Sequence, residues 1–182
     1  MKSETDNFEE LYLEHLPSLL RTARRMTRNE QDAEDLVQET LVKAYKAYQR
    51  FEKGSYFKAW LFKIMTNTFI NILRKKKNRP AQSGMEVLEF VDDASTNKSV
   101  DFADLYDNFH DEVKKALDDM PDNYRQVLLL NSVEEFSYKE ISDIVGVPMG
   151  TVMSRLYRAR QYMQGELAQF ALSKKKREAH GA

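Results

Sequence analysis

The stretch SYKEISDIVGVPMGTVMSRLYRARQYM, Ser137 to Met163, decides how the chain is read. Ser137 followed three residues later by Glu140 is a capping box, in which each side chain satisfies a free backbone donor of a first helical turn. Ile141, Ile144 and Val145 then fall on one helical face. Gly146 supplies a left-handed helix stop and Pro148 prevents continuation. Val152, Leu156 and Met163 recur at helical spacing in a second helix that also carries Arg155, Arg158 and Arg160. Two short helices joined by a tight turn make a helix-turn-helix, whose second helix can enter a DNA major groove. The alternative is an ordinary helical hairpin at the edge of a bundle, which has no need of a basic outer face.

Working outward, composition favours helices throughout. Gly and Pro are scarce, with 6 and 4 residues in 182. The net charge of −1 excludes a globally basic nucleic-acid binder, but the charge is segregated. Arg74, Lys75, Lys76, Lys77 and Arg79 form a basic cluster; nine acids between Glu86 and Glu112 face only Lys98; Lys174 to Arg177 are basic again. This alternation suggests two DNA-facing modules separated by an acidic linker. With no cysteine, disulfides and cysteine metal sites are excluded, and three scattered histidines make no metal cluster. The opening MKSETDNF is unlike a signal peptide and no apolar run approaches a membrane span, so a cytoplasmic location without membrane insertion is expected. No spacing suggests a catalytic constellation, a metal site or a cofactor, so the chain is not expected to be an enzyme.

In chain order, Phe8, Leu11, Tyr12, His15, Leu16, Leu19, Leu20, Ala23 and Met26 share a helical face interrupted by Pro17, which predicts a kink or two abutting helices. A helix is expected from about Asp32 to Arg50, with Leu36, Val37, Leu41, Ala44, Tyr45 and Tyr48 inward and Asp32, Asp35, Gln38 and Glu39 outward. Those carboxylates can simply favour a helix N-terminus, or can form a docking face for a basic helix on a partner. A loop, FEKGSY, turns at Gly54 before a third helix with Phe57, Trp60, Leu61, Ile64, Thr68 and Ile72 inward. Aromatic and basic residues interleave here, as in surfaces that stack unpaired bases and track phosphates; the bland alternative is a core with a solvated lysine face. Trp60 fits the core better. Residues 81 to about 108 read as a linker whose apolar spots suggest packing against something. Short helices follow around Val113, Ala116, Leu117 and Met120, then after Pro121 with Tyr124, Val127, Leu128 and Leu130. The tail after Gln169 is expected to be frayed.

Three stretches, DAEDLVQETLVKAYKAYQRF (32–51), FKAWLFKIMTNTFINILRKKKNRP (57–80) and VKKALDDMPDNYRQVLLLNSVEEFSYKEISDIVGVPMGTVMSRLYRAR (113–160), resemble regions 2 and 4 of the bacterial extracytoplasmic-function (ECF) sigma factors. RMTRN, TNTFIN and GTVMSRL resemble the subgroup that answers thiol-oxidative and heat stress. The resemblance implies an all-α chain of two small helical domains, region 2 at 1–80 and region 4 at 111–182, joined by a flexible acidic linker at 81–110. It implies a sigma factor that binds core RNA polymerase and directs promoter-specific initiation through −35 and −10 elements, in a stress response and under anti-sigma control.

Residue by residue, the resemblance assigns Asp35, Gln38 and Glu39 to the β′ coiled coil of core polymerase. It assigns Phe51, Lys53, Gly54, Ser55, Tyr56, Lys63, Asn67, Asn71 and Arg74 to the −10 element. Thr151, Met153, Ser154, Arg155, Tyr157 and Arg158 go to the −35 element. Partners implied are the β′ coiled coil and β flap of the polymerase, promoter DNA, and an anti-sigma factor, of a zinc-containing and redox-sensitive kind in that subgroup. Departures are Asn71 for a frequent Asp, Met153 for an occasional Arg, Ser142 for a common Ala and Met120 for a common Leu; the last two read as packing changes. An autonomous helix-turn-helix repressor would have no use for the region 2 module, and a decoy would bind polymerase but open no promoter.

Overall fold

The computed structural model describes residues 4–52, 55–77 and 111–180. Among them the structure is all α: α1 (Glu4–Thr27), α2 (Glu30–Ala47) running into a 3-10 turn (Tyr48–Arg50), α3 (Phe57–Lys77), α4 (Asp111–Asp119), α5 (Asp122–Ser132), α6 (Tyr138–Val145) and α7 (Met149–His180). Helices α1 to α3 form one module and α4 to α7 a second. The expected linker, with Arg79 and the acids from Glu86 to Asp107, lies outside the described residues.

Pro17 sits inside a single continuous α1 rather than dividing two helices. Its missing donor costs one turn's bond, which the buried Phe8, Tyr12, Leu19, Ala23 and Met26 on either side outweigh. Asn29 caps α2 by accepting from the Asp32 amide at 2.9 Å, so the helix starts at Glu30, ahead of the expected Asp32. Phe8 is the hub of an aromatic cluster, with ring centroids 4.9 Å from Tyr48, 5.6 Å from Tyr45 and 6.2 Å from Phe57. Tyr45 keeps its edge contact with Phe8 but is 53% exposed, a correction to its inward placement. The tail is likewise not frayed backbone: α7 continues to His180, consistent with helix-forming Ala, Lys, Arg and Glu and with cations near a helix C-terminus.

The modules share one core. Val127, Leu129, Leu130, Phe136, Ile141 and Val152 of the second belong to the same buried cluster as Leu19, Leu36, Leu61, Phe62 and Met65 of the first. Val113, Ala116, Leu117, Met120, Leu128, Ala159 and Met163 form a satellite core beneath α4. Across the boundary, Glu134 is fully buried. Its carboxylate accepts from Thr22 Oγ1 at 2.6 Å, from Ser18 Oγ, and from Lys58 Nζ at 3.0 Å. Phe136 packs on Phe62 at 5.2 Å, with the Lys58 ammonium over its ring. Glu135 between them has φ 61, a left-handed backbone that costs a non-glycine residue about 1–2 kcal/mol. That conformation lets the residues on both sides of Glu135 reach the first module. The other non-glycine residue with positive φ among those described is Arg28, which ends α1 and crosses the same boundary to donate to the Met120 carbonyl at 2.9 Å.

Candidate nucleic-acid interface

The helix-turn-helix forms as its sequence specifies. Ser137 and Glu140 make both halves of the capping box, and Gly146 ends α6 with φ 72. Ser142 does more than pack: its hydroxyl donates to the Val147 carbonyl at 2.7 Å and closes the turn. Val152, Leu156, Ala159 and Met163 are buried and orient α7. Met149 and Met153, 48% and 45% exposed, flank that buried stripe, and Thr151, Ser154, Tyr157 and Arg158 are half-buried. Ser154 donates to the Thr151 carbonyl at 3.0 Å, leaving its oxygen lone pairs for a ligand. Burial lowers the proton affinity of Arg155, with Tyr124 offsetting part of the effect. Arg160 donates to Asn131 Oδ1 at 3.0 Å and ties α7 to α5.

On α3, Lys63, Asn67, Asn71 and Arg74 are all exposed and spaced by four, four and three residues, so they form one polar stripe. The preceding loop is anchored by aromatics. Phe51 stacks on Tyr48 at 6.0 Å and meets Phe57 at 5.3 Å and Trp60 at 4.9 Å, so it is a wall rather than a free platform. Ser55 closes the loop by donating its hydroxyl to the Glu52 carbonyl at 2.7 Å. Tyr56 is 54% exposed and touches Phe136 edge-on at 6.0 Å. Lys53 and Gly54 lie outside the described residues. Trp60 packs half-buried against the core, as its spacing suggests.

A third surface lies on α2. Asp35, Gln38 and Glu39 are exposed, and Val42, one turn on, is 50% exposed. Glu39 pairs with Lys43 at 2.7 Å, and Asp32 with Lys76 at 3.2 Å. Exposed ion pairs are worth at most about 1 kcal/mol, so a partner's cation can replace them. Asp35 and Glu39 also border a cleft of about 350 Å³ lined by Phe69, Ile72, Leu73 and, from the second module, Asp122 and Arg125. Sequence reasoning missed Val42, although an apolar residue on a polar helical face is a readable signal.

Two family models cover these surfaces in order: Sigma-70 region 2 matches residues 11–79 and Sigma-70, region 4 matches residues 110–163. The chain is 34% identical over 163 residues to the ECF RNA polymerase sigma factor EcfG of Rhodopseudomonas palustris (strain TIE-1), covering 90% of this chain and 86% of that one. This chain belongs to the ECF sigma factors. It is also 32% identical over 162 residues to the ECF RNA polymerase sigma factor SigE of Mycolicibacterium smegmatis; the match covers 89% of this chain and 62% of that relative's length. Among solved structures, the sigma factor RpoE of Bartonella quintana, in complex with the anti-sigma factor NepR, superposes with a TM-score of 0.68 at 32% identity. That match covers 89% of this chain and 97% of RpoE. As an ECF sigma factor, the chain is an initiation factor that directs transcription to promoters. The relatives are initiation factors rather than enzymes. No described helix is long and apolar enough to cross a membrane.

Proposed function

We propose that this ECF sigma factor divides promoter recognition among the three surfaces. The α2 face of Asp35, Gln38, Glu39 and Val42 docks on the β′ coiled coil of core polymerase. The α3 stripe of Lys63, Asn67, Asn71 and Arg74, with the loop from Phe51 to Tyr56 including Lys53 and Gly54, takes the opened −10 strand. Flipping suits this chemistry, since an extruded base exposes its pairing edge while cations hold the backbone. Thr151, Met153, Ser154, Arg155, Tyr157 and Arg158 meet the −35 element, and the second module leans on the β flap. The functional boundaries are then residues 1–80, 81–110 and 111–182.

The observation that carries this reading is the pairing, within one three-helix module, of an exposed acidic face on α2 with an exposed basic and amide stripe on α3. An autonomous repressor needs neither. A NepR-bound relative supports control by an anti-sigma factor. This chain has no cysteine, so a thiol-oxidative signal would be sensed by a zinc-containing, redox-sensitive partner. The reading also places the protein in the cytoplasm.

The test is initiation by purified core polymerase on a genomic promoter library. Addition of this chain should produce discrete start sites, and their absence would refute the proposal. Glu39→Lys should reduce core affinity at least tenfold with an unchanged circular dichroism spectrum, because the position is exposed. Unchanged affinity would remove α2 from the docking face.

A further inference from the structure

We infer that Met149 and Met153 are specificity-determining residues that read the 5-methyl groups of thymines in the −35 element. The inference rests on the −35 reading above and adds the chemistry by which that surface chooses its bases. The two side chains stand four residues apart at the start of α7, so they share one face of the helix and form one apolar patch. Both are about half exposed, whereas the other long apolar side chains in the first four turns, Val152, Leu156 and Met163, are buried. Intramolecular packing therefore does not account for the pair. Their position does, because N-terminal residues of a recognition helix are the ones that reach base edges.

The neighbouring groups narrow the choice of base. Ser154 has committed its proton to the Thr151 carbonyl, and Arg155 is half-buried. The most exposed side chains of the first two turns are then two polarizable thioethers that can donate no hydrogen bond. In the major groove the one strongly apolar feature is the thymine methyl. Gly150, between the methionines in sequence, supports close approach. A Cβ built there meets nothing within 4 Å, so the protein's own packing does not require glycine. A bare backbone at this position lets the groove edge come near.

The experiment uses holoenzyme assembled from core polymerase and the full chain. Its −35 sequence is first selected from a duplex library randomised over that window. Each selected thymine is then replaced singly by uracil, which removes only the methyl. Replacement at one or two positions should weaken binding about fourfold each, the equivalent of one buried methylene. The sensitivity should vanish in Met149→Ala or Met153→Ala and survive in Met153→Leu. Both positions are exposed, and the variants should keep the wild-type circular dichroism spectrum. Specific binding that ignores every uracil overturns the inference and leaves the −35 reading standing. Uracil sensitivity that persists in both alanine variants also overturns it, assigning the methyl to another side chain such as Thr151. Failure to select any sequence overturns the −35 reading itself.

Discussion

Glu134 and Arg125 are buried ionisable residues of the second module that hydrogen-bond to the first. Burial raises the Glu134 pKa, but hydrogen bonds from Ser18, Thr22 and Lys58 outweigh it, and the net direction is down. Arg21 at 3.4 Å adds a weaker contact, and His15, half-buried nearby, has its own pKa lowered by burial. A carboxyl more acidic when folded than when unfolded contributes stability above the ordinary carboxylate range, about 4.3, and loses it as pH falls through its depressed value. Contact between the modules should therefore weaken on acidification below that range, seen as falling energy transfer between labels on α2 and α7. Glu134→Gln keeps the shape but removes the charge, and should weaken the contact by about 1.5–3 kcal/mol at neutral pH and flatten its acid dependence. Unchanged transfer would show that the shared apolar core alone holds the modules. Arg125 is 2% exposed; it donates to the carbonyls of Leu117 and Met120 at 3.3 and 3.0 Å and of Met26 at 2.8 Å. Burial and then Arg28 lower its pKa, while Asp122 raises it. Arg125→Met removes a donor shared by three carbonyls, of which the Met120 carbonyl keeps Arg28 and the Leu117 carbonyl keeps the Met120 amide, and should cost about 2–4 kcal/mol in urea unfolding.

At the scale of the element, α6 shows why a short helix can be read locally. It has eight residues, below the length at which an isolated helix is stable in water, so its caps matter. The Glu140 carboxyl is held below its usual range by the Ser137 hydroxyl and backbone amide it accepts from. Ser137→Ala should cost about 1 kcal/mol and weaken −35 binding in proportion, since α6 sets the angle of α7. A stability loss with unaltered DNA affinity would show that α7 is positioned by the core alone. Helix α5 behaves oppositely. Its spacing suggests one apolar face, yet Arg125, Gln126, Val127, Leu128, Leu129 and Leu130 are all buried. It is covered on one side by α7 and on another by α1, and no local pattern announces the second cover.

The surfaces proposed for the −10 and −35 elements belong to modules that share one core, an arrangement that a promoter engaged at both elements would not accommodate. The two elements lie about 25 base pairs apart, or roughly 85 Å at 3.4 Å per step. Modules seated on both cannot keep Glu134 bonded to Ser18 and Thr22. Holoenzyme formation on promoter DNA should therefore abolish energy transfer between α2 and α7 labels, while the free chain retains it. Retained transfer in the open complex would mean that only one of the two surfaces touches DNA. The left-handed Arg28 and Glu135 sit at this boundary, where separation can release their backbone strain.

By itself the sequence determined the all-α class, the two modules, the helix-turn-helix with its caps, and the exposed faces of α2 and α3. Each rests on short-range physics: a serine and a glutamate three apart, a glycine free to adopt φ 72, apolar residues returning every three or four positions. Only the tertiary structure decided that Glu134 is buried rather than solvated beside the equally acidic Glu135. It likewise decided that Phe62 belongs to the core through Phe136, and that the modules share one interior. Those outcomes depend on groups 70 or more residues apart in the chain, whose meeting leaves no periodic trace in either partner's neighbourhood.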